Sequence, residues 1–224
     1  MAETHAPDCA QSEQETDRRR QMLEAATDLF LEFGYDRATL DMLIERVGGS
    51  RRTVYSLFGS KEGLLEAIVC ERCVSLSSEI ESLSLEGLSP REMLRKFGLA
   101  AVQTMLSPHN VKLFRLVVQE SVRNPQLGRL MFESGIAVTQ DRLAAYFRDE
   151  TEAGRLDVRH PNEASASFFA MIKGDMIFTA LFWGCEALTE ADFRECVDRA
   201  VDIFLHGVLA PRAREEDVSS ASSS

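Results

Sequence analysis

Apolar residues recur along the chain at spacings of three and four, and no stretch sustains the alternation of a half-buried strand, so the pattern predicts an all-α fold. A first helix is expected from about Asp17 to Phe33, with Met22, Ala26, Leu29, Phe30 and Phe33 inward and Gly34 supplying the left-handed cap. Thr39 can cap a short second helix ending near Val47, and Gly48 and Gly49 make a tight turn. A third helix starts at Ser50 and stops near Phe58, where Gly59 and Ser60 break and recap the chain. A long helix follows from Lys61, with Leu65, Ile68, Val69, Cys73, Leu76, Ile80 and Leu83 as its inward stripe. Further helices are predicted over about 90–106, 110–123, 125–149, 162–183 and 189–209, nine in all.

Phase within the third helix decides what faces outward. Val54 and Phe58 are four apart and share the inward face, which turns Arg51 and Tyr55 to another face with Arg52 and Ser56 nearby. Two arginines at a helix start oppose the macrodipole, at an expected cost of about 0.3–1 kcal/mol each. An anionic partner offsets that cost. DNA supplies phosphates and the guanine O6 and N7 acceptors that a guanidinium meets bidentately, at about 1–3 kcal/mol of base discrimination per pair. A short helix, a glycine turn and a second short helix within residues 39–58 are also the layout of a helix-turn-helix. Lys61 repeats the oddity after the Ser60 cap, and the run Arg18, Arg19, Arg20 adds a third cationic point suited to phosphates or a minor groove. The alternative is a solvated surface, with Asp41, Glu45 or Glu62 as partners for these cations.

Net charge is −11, which argues against a nucleic-acid binder until the chain is divided. Residues 1–15 carry −4, residues 16–65 are neutral with eight charges of each sign, and the remainder carries −7. The helix-turn-helix segment is therefore the least acidic part of the molecule. The N-terminus lacks a basic region followed by an apolar run, and the longest apolar stretch, near MIFTALFW, falls short of the roughly 20 residues that span a bilayer. A cytoplasmic protein with no membrane partner is expected, and five cysteines point to reduced thiols.

Residues 34–66, GYDRATLDMLIERVGGSRRTVYSLFGSKEGLLE, closely resemble the DNA-binding region of the TetR family of transcriptional regulators. The resemblance rests on Gly34-Tyr35, Thr39, Ile44, Gly48-Gly49-Ser50, Thr53-Val54-Tyr55-Ser56-Leu57-Phe58 and Ser60-Lys61-Glu62. It implies phosphate contacts at Thr39, Tyr55 and Lys61 and base reading by Arg51, Arg52 and Thr53, beside Ser50 and Arg18, Arg19 and Arg20 in the expected interface. Gly49 stands where the family usually has an apolar residue, and Val47 where an alanine often precedes the turn.

Four segments are expected: a disordered acidic extension over 1–15, a helix-turn-helix domain over 16–62, a helical ligand-binding and dimerisation domain over 63–210 and a disordered tail over 211–224. The resemblance implies a homodimer held by the last two helices, on a palindromic double-stranded operator, with a small-molecule effector and no cofactor. The residues expected at the dimer interface are Phe169, Met176, Val197, Val201, Phe204, Leu205 and Val208. Glu120 and Asp175 lie on apolar helix faces, where a carboxylate marks either an internal ion pair, with Arg115 or Lys173 available, or a polar point in a ligand pocket. Phe97, Phe114, Tyr146 and Trp183 are the aromatic candidates for that pocket, or plain core. Cys70 and Cys73 form a C-x-x-C in mid-helix, which leaves a redox- or metal-responsive regulator as an alternative. An α-helical enzyme is the remoter one, since no phosphate loop, Gly-x-Ser-x-Gly or HExxH occurs and the histidines are dispersed.

Overall fold

The computed structural model describes residues 8–83 and 87–206, and among them all regular structure is helical. The chain forms two compact units: residues up to Glu81 together with Pro108–Thr139, and Ser82–Ser107 together with the chain from Gln140 onward. This departs from the expected cut near residue 62, for a packing reason. Three short helices cannot enclose Met22, Leu29, Leu43 and Val54 alone, so Leu64, Leu65, Ile68, Val69, Leu113, Leu116, Val117 and Leu127 complete the same core.

In the first unit, α1 spans Asp8–Phe33, α2 Leu40–Val47, α3 Arg51–Phe58 and α4 Lys61–Glu81. Helix α1 begins nine residues before the expected Asp17, so residues 8–15 are helical rather than a disordered extension; the rest of that extension, the 211–224 tail and Val208 lie outside the described residues. Pro108–Ser121 forms α6 and Pro125–Met131 forms α7. The hinge between α6 and α7 is tied to the first helices: Arg123 donates to Asp36 at 3.0 Å, and Asn124 to Glu66 at 3.2 Å.

In the second unit, α5 (Pro90–Met105) opens with a capping box between Ser89 and Glu92. It packs with α9 (Pro161–Lys173) and α11 (Glu190–His206) around Phe97, Phe147, Phe168, Ile172, Val197 and Val201, while α8 is Val138–Glu152 and α10 is Met176–Trp183. Arg95 clamps Asp198 at 2.5 Å and Arg91 pairs with Asp202, fastening α5 to α11 along its solvent edge.

Two expected single helices are interrupted, which turns nine helices into eleven α-helical segments among the described residues. Residues 125–149 contain a π-helical turn, Phe132–Ala137, whose Gly135 faces Cys73: a Cβ there would stand 3.0 Å from the sulfur. Residues 162–183 break at Gly174, φ +47°, and the halves bend by 50°. No single described helix is long and apolar enough to cross a membrane.

Candidate nucleic-acid interface

The helix-turn-helix is assembled as its sequence signals require. Thr39 Oγ1 accepts the Met42 N–H at 3.3 Å and Ser50 Oγ accepts the Thr53 N–H at 3.2 Å, each satisfying an orphan donor of a first turn. Gly48 and Gly49 hold φ values of +72° and +100°, which L side chains rarely adopt. Val54 is fully buried and Phe58 packs against the same core, so α3 presents Arg51, Arg52, Tyr55 and Ser56 to solvent, with Tyr55 49% exposed.

The ten expected interface residues all fall in the first unit, in distinct states. Arg51 is not solvated alone: its Nε donates to Asp41 Oδ1 at 2.9 Å and its Nη2 to Oδ2 at 2.5 Å. That bond holds the Asp41 carboxyl below the ordinary carboxylate range. Arg52 is exposed and makes no hydrogen bond or ion pair with a described residue. The Thr53 hydroxyl shares a 3.0 Å contact with Ser50.

The triple arginine run does not form a free arm. It lies within α1, where Arg20 pairs with Asp17 and Glu24 and Arg19 reaches Glu71 at 3.7 Å while sitting over the Phe58 ring at 5.6 Å. Arg18 leans over the glycine turn, its Nη2 2.7 Å from where a Gly49 Cβ would be. Of these contacts, Arg19 over Phe58 and Arg18 at Gly49 tie the recognition helix and its turn to α1.

Lys61 is turned inward in this structure. Its ammonium donates to the Tyr35 carbonyl, lies 4.4 Å from the Tyr35 ring centroid and 5.9 Å from that of Phe30, and has its pKa lowered by burial. The neighbouring Asp36, Glu62 and Glu120 carboxylates oppose that shift. Burial first, and then those carboxylates, push the Tyr35 phenol well above its ordinary range.

Glu120 is 4% exposed and belongs to the first unit, where its charge faces Lys61 and Tyr35; of the two cations expected to partner a carboxylate on an apolar face, Arg115 lies in the same unit and Lys173 in the second. Phe114 is also in the first unit. The other pocket candidates diverge as well: Phe97 is core, edge-on to Phe169 at 5.8 Å; Asp175 is exposed at the start of α10; and Trp183 is 75% exposed. Tyr146 alone keeps a pocket-like character, with a buried hydroxyl lacking a hydrogen-bond partner and a phenol pushed up to about 12 by burial and then by Glu150.

The expected dimer stripe is also corrected. Phe169, Met176, Val197 and Val201 are buried within their own unit, and Phe204 stacks on Phe147 at 5.2 Å and meets Phe168 edge-on at 5.3 Å. Leu205 is half-buried. Among the described residues of α10, Phe178, Phe182 and Trp183 are left exposed, which sequence phase could not single out because α10 is apolar all round; Ile203 of α11 is exposed among Asp198, Arg199 and Asp202.

Cys73 is a core residue, its thiol pushed up to about 11 by burial, whereas Cys70 on the same helix is half-buried.

Comparison with known proteins agrees with this geometry. Residues 22–68 match the family model for bacterial regulatory proteins of the tetR family, and residues 92–207 match the C-terminal domain of AefR-like transcriptional repressors. A crystal structure from Mesorhizobium loti MAFF303099, described as a TetR-family transcriptional regulator, superposes with a TM-score of 0.81 at 27% identity, covering 86% of this chain and 96% of that one. The flavonoid-responsive regulator FrrA gives a TM-score of 0.72 at 30% identity over 85% and 96% of the two chains. The HTH-type transcriptional regulator YhgD of Bacillus subtilis is 24% identical over 76% of this chain and 85% of its own length.

Proposed function

The chain belongs to the TetR family of helix-turn-helix transcriptional regulators, and on that premise we propose that it is a cytoplasmic repressor that binds a palindromic operator as a homodimer and releases it when a small-molecule effector binds. The observation that carries the DNA reading is the outward face of α3, where Arg51, Arg52 and Tyr55 stand on a helix locked from behind by Val54 and at its start by the Ser50 cap. A two-fold pair of such helices about one DNA turn apart reads two half-sites.

The open aromatic face of Phe178, Phe182 and Trp183 on α10 supports association through the last two helices. Effector coupling requires only that the ligand prefer a conformation whose recognition helices mismatch the operator, at about 1–3 kcal/mol. The reading is that of a binding protein rather than an enzyme.

The test is a gel shift with duplex DNA from upstream of the protein's own gene. Arg51→Ala, which removes an outward guanidinium of α3, lowers the preference for operator over random duplex, whereas Tyr55→Phe, which removes an exposed phenol, weakens specific and random DNA binding alike. Equal binding of the wild-type chain to operator and random duplex would overturn the proposal.

A further inference from the structure

The arginine that opens α3 is held by an aspartate from the preceding helix, and the way it is held leaves one edge of the guanidinium available. Asp41 takes the side-on pair of donors, Nε and one hydrogen of Nη2, through both of its carboxylate oxygens. Nη1 makes no bond to a described residue, so it and the remaining Nη2 hydrogen form the end-on fork. Both side chains are well exposed, Arg51 at 62% and Asp41 at 65%, so the pair adds little to stability. What it does supply is direction, because a long side chain with several free torsions is reduced to one arrangement relative to α2 and α3. The carboxylate is itself well placed in the first turn of α2, where the helix dipole favours it.

We infer that Asp41 is a specificity-determining residue for DNA recognition, positioning the end-on fork of Arg51 to read the O6 and N7 acceptors of a guanine in each operator half-site. The inference rests on the DNA-reading function proposed above. A free arginine beside a duplex satisfies itself on the nearest phosphate, which carries no sequence information. An arginine whose Nε edge is already taken, beside a carboxylate that repels phosphates, keeps its remaining fork for a base edge. Asp41 thus trades general affinity for discrimination. Arg52, without such a partner, has no comparable restriction.

The experiment selects a preferred sequence from a random duplex pool with the full-length wild-type chain. It then titrates wild type, Arg51→Ala, Asp41→Asn and Asp41→Glu against that sequence, each single-pair variant of it, and random duplex, at one salt concentration. Circular dichroism checks that helix content is unchanged. Wild type should prefer G·C at one position per half-site by roughly ten-fold or more, and Arg51→Ala should lose that preference. Asp41→Asn should lose most of the preference at the same position while binding random duplex more tightly, and Asp41→Glu should recover part of it. An Asp41→Asn chain that binds every duplex more tightly with the G·C preference intact overturns the inference, since Asp41 would then only mask charge. So does a preference lost at a pair that Arg51→Ala leaves unaffected. Absence of any selected sequence with wild type overturns the DNA-reading function itself, an outcome distinct from both.

Discussion

Arg18 Nη2 stands 2.7 Å from the point where a Cβ on Gly49 would project, so the guanidinium of α1 occupies the space that a turn side chain would otherwise fill. Gly49 sits at φ +100° and Met22 closes the space from beneath, with its Cε 3.3 Å from the same point. The turn that aims α3 is thus packed by α1 rather than by its own residue.

Gly49→Ala should therefore destabilise the first unit by about 1–3 kcal/mol, because alanine strains at this φ even though the Arg18 tip can move aside. A lower urea midpoint at unchanged m-value, together with weaker operator binding, is the expected result. An unchanged midpoint would show that the turn relaxes freely.

The second unit holds a close approach between packed apolar side chains. A Cβ on Gly98 of α5 would lie 3.1 Å from Val197 Cγ1 and 3.4 Å from Phe168 Cζ. Gly98→Ala gains helix propensity of about 1 kcal/mol but overpacks this contact, and the net effect should be a loss of about 1 kcal/mol. Adding Val197→Ala to it should cost less than the sum of the two single changes, a coupling measurable in a double-mutant cycle.

The exposed and buried apolar residues of α10 and α11 should separate cleanly by experiment. Phe182→Ala and Trp183→Ala remove surface aromatics, so each should weaken dimerisation by roughly 30-fold in sedimentation, at the hot-spot scale of about 2 kcal/mol, without lowering stability of the fold. Val201→Ala, at 1% exposure, should instead cost roughly 2 kcal/mol of folding stability. Unaltered sedimentation of the Phe182 and Trp183 variants would rule out this face as the interface.

Glu150 is 7% exposed and receives two Arg155 hydrogen bonds of 2.6 Å, which hold its carboxyl below the ordinary 4.5. A carboxyl depressed on folding stabilises fully above its unfolded pKa, and that stability is lost as pH falls through the folded value. In Arg155→Met the bonds vanish and burial alone acts on Glu150, raising its pKa. Arg155→Met should therefore be less stable than wild type at neutral pH and regain stability as pH falls through the raised pKa, the opposite slope from wild type, and Glu150→Gln added to it should flatten that slope in urea midpoints measured between about pH 4 and 7.

Local rules made most of the first unit legible in the sequence. Thr39, Ser50 and Ser60 announce helix starts through short-range hydrogen bonds, Gly34, Gly48 and Gly59 require φ near +75°, and Val54 and Phe58 repeat at four; none of these depends on the rest of the chain. The outward face of α3 followed from that periodicity and stands as expected. The C-terminal half was less legible because its helices are apolar on more than one side, and period alone cannot tell a face packed within the chain from one left open. So Val197 and Val201, read as a partner surface, are buried and Phe204 is half-buried against Phe147, while Trp183, read as pocket or core, stands in solvent.

Periodicity and capping chemistry by themselves determined most of the helices and the helix-turn-helix, and the resemblance of residues 34–66 pointed to the family. Tertiary structure decided which charges meet: Arg51 with Asp41, Lys61 with the Tyr35 carbonyl and the carboxylates around it, Arg18 with the Gly49 turn. Apart from Glu62, next to Lys61 in the chain, these partners stand 10 to 59 residues apart, and a contact between residues so separated is set by where helices cross, which hydrophobic packing fixes and no local pattern encodes.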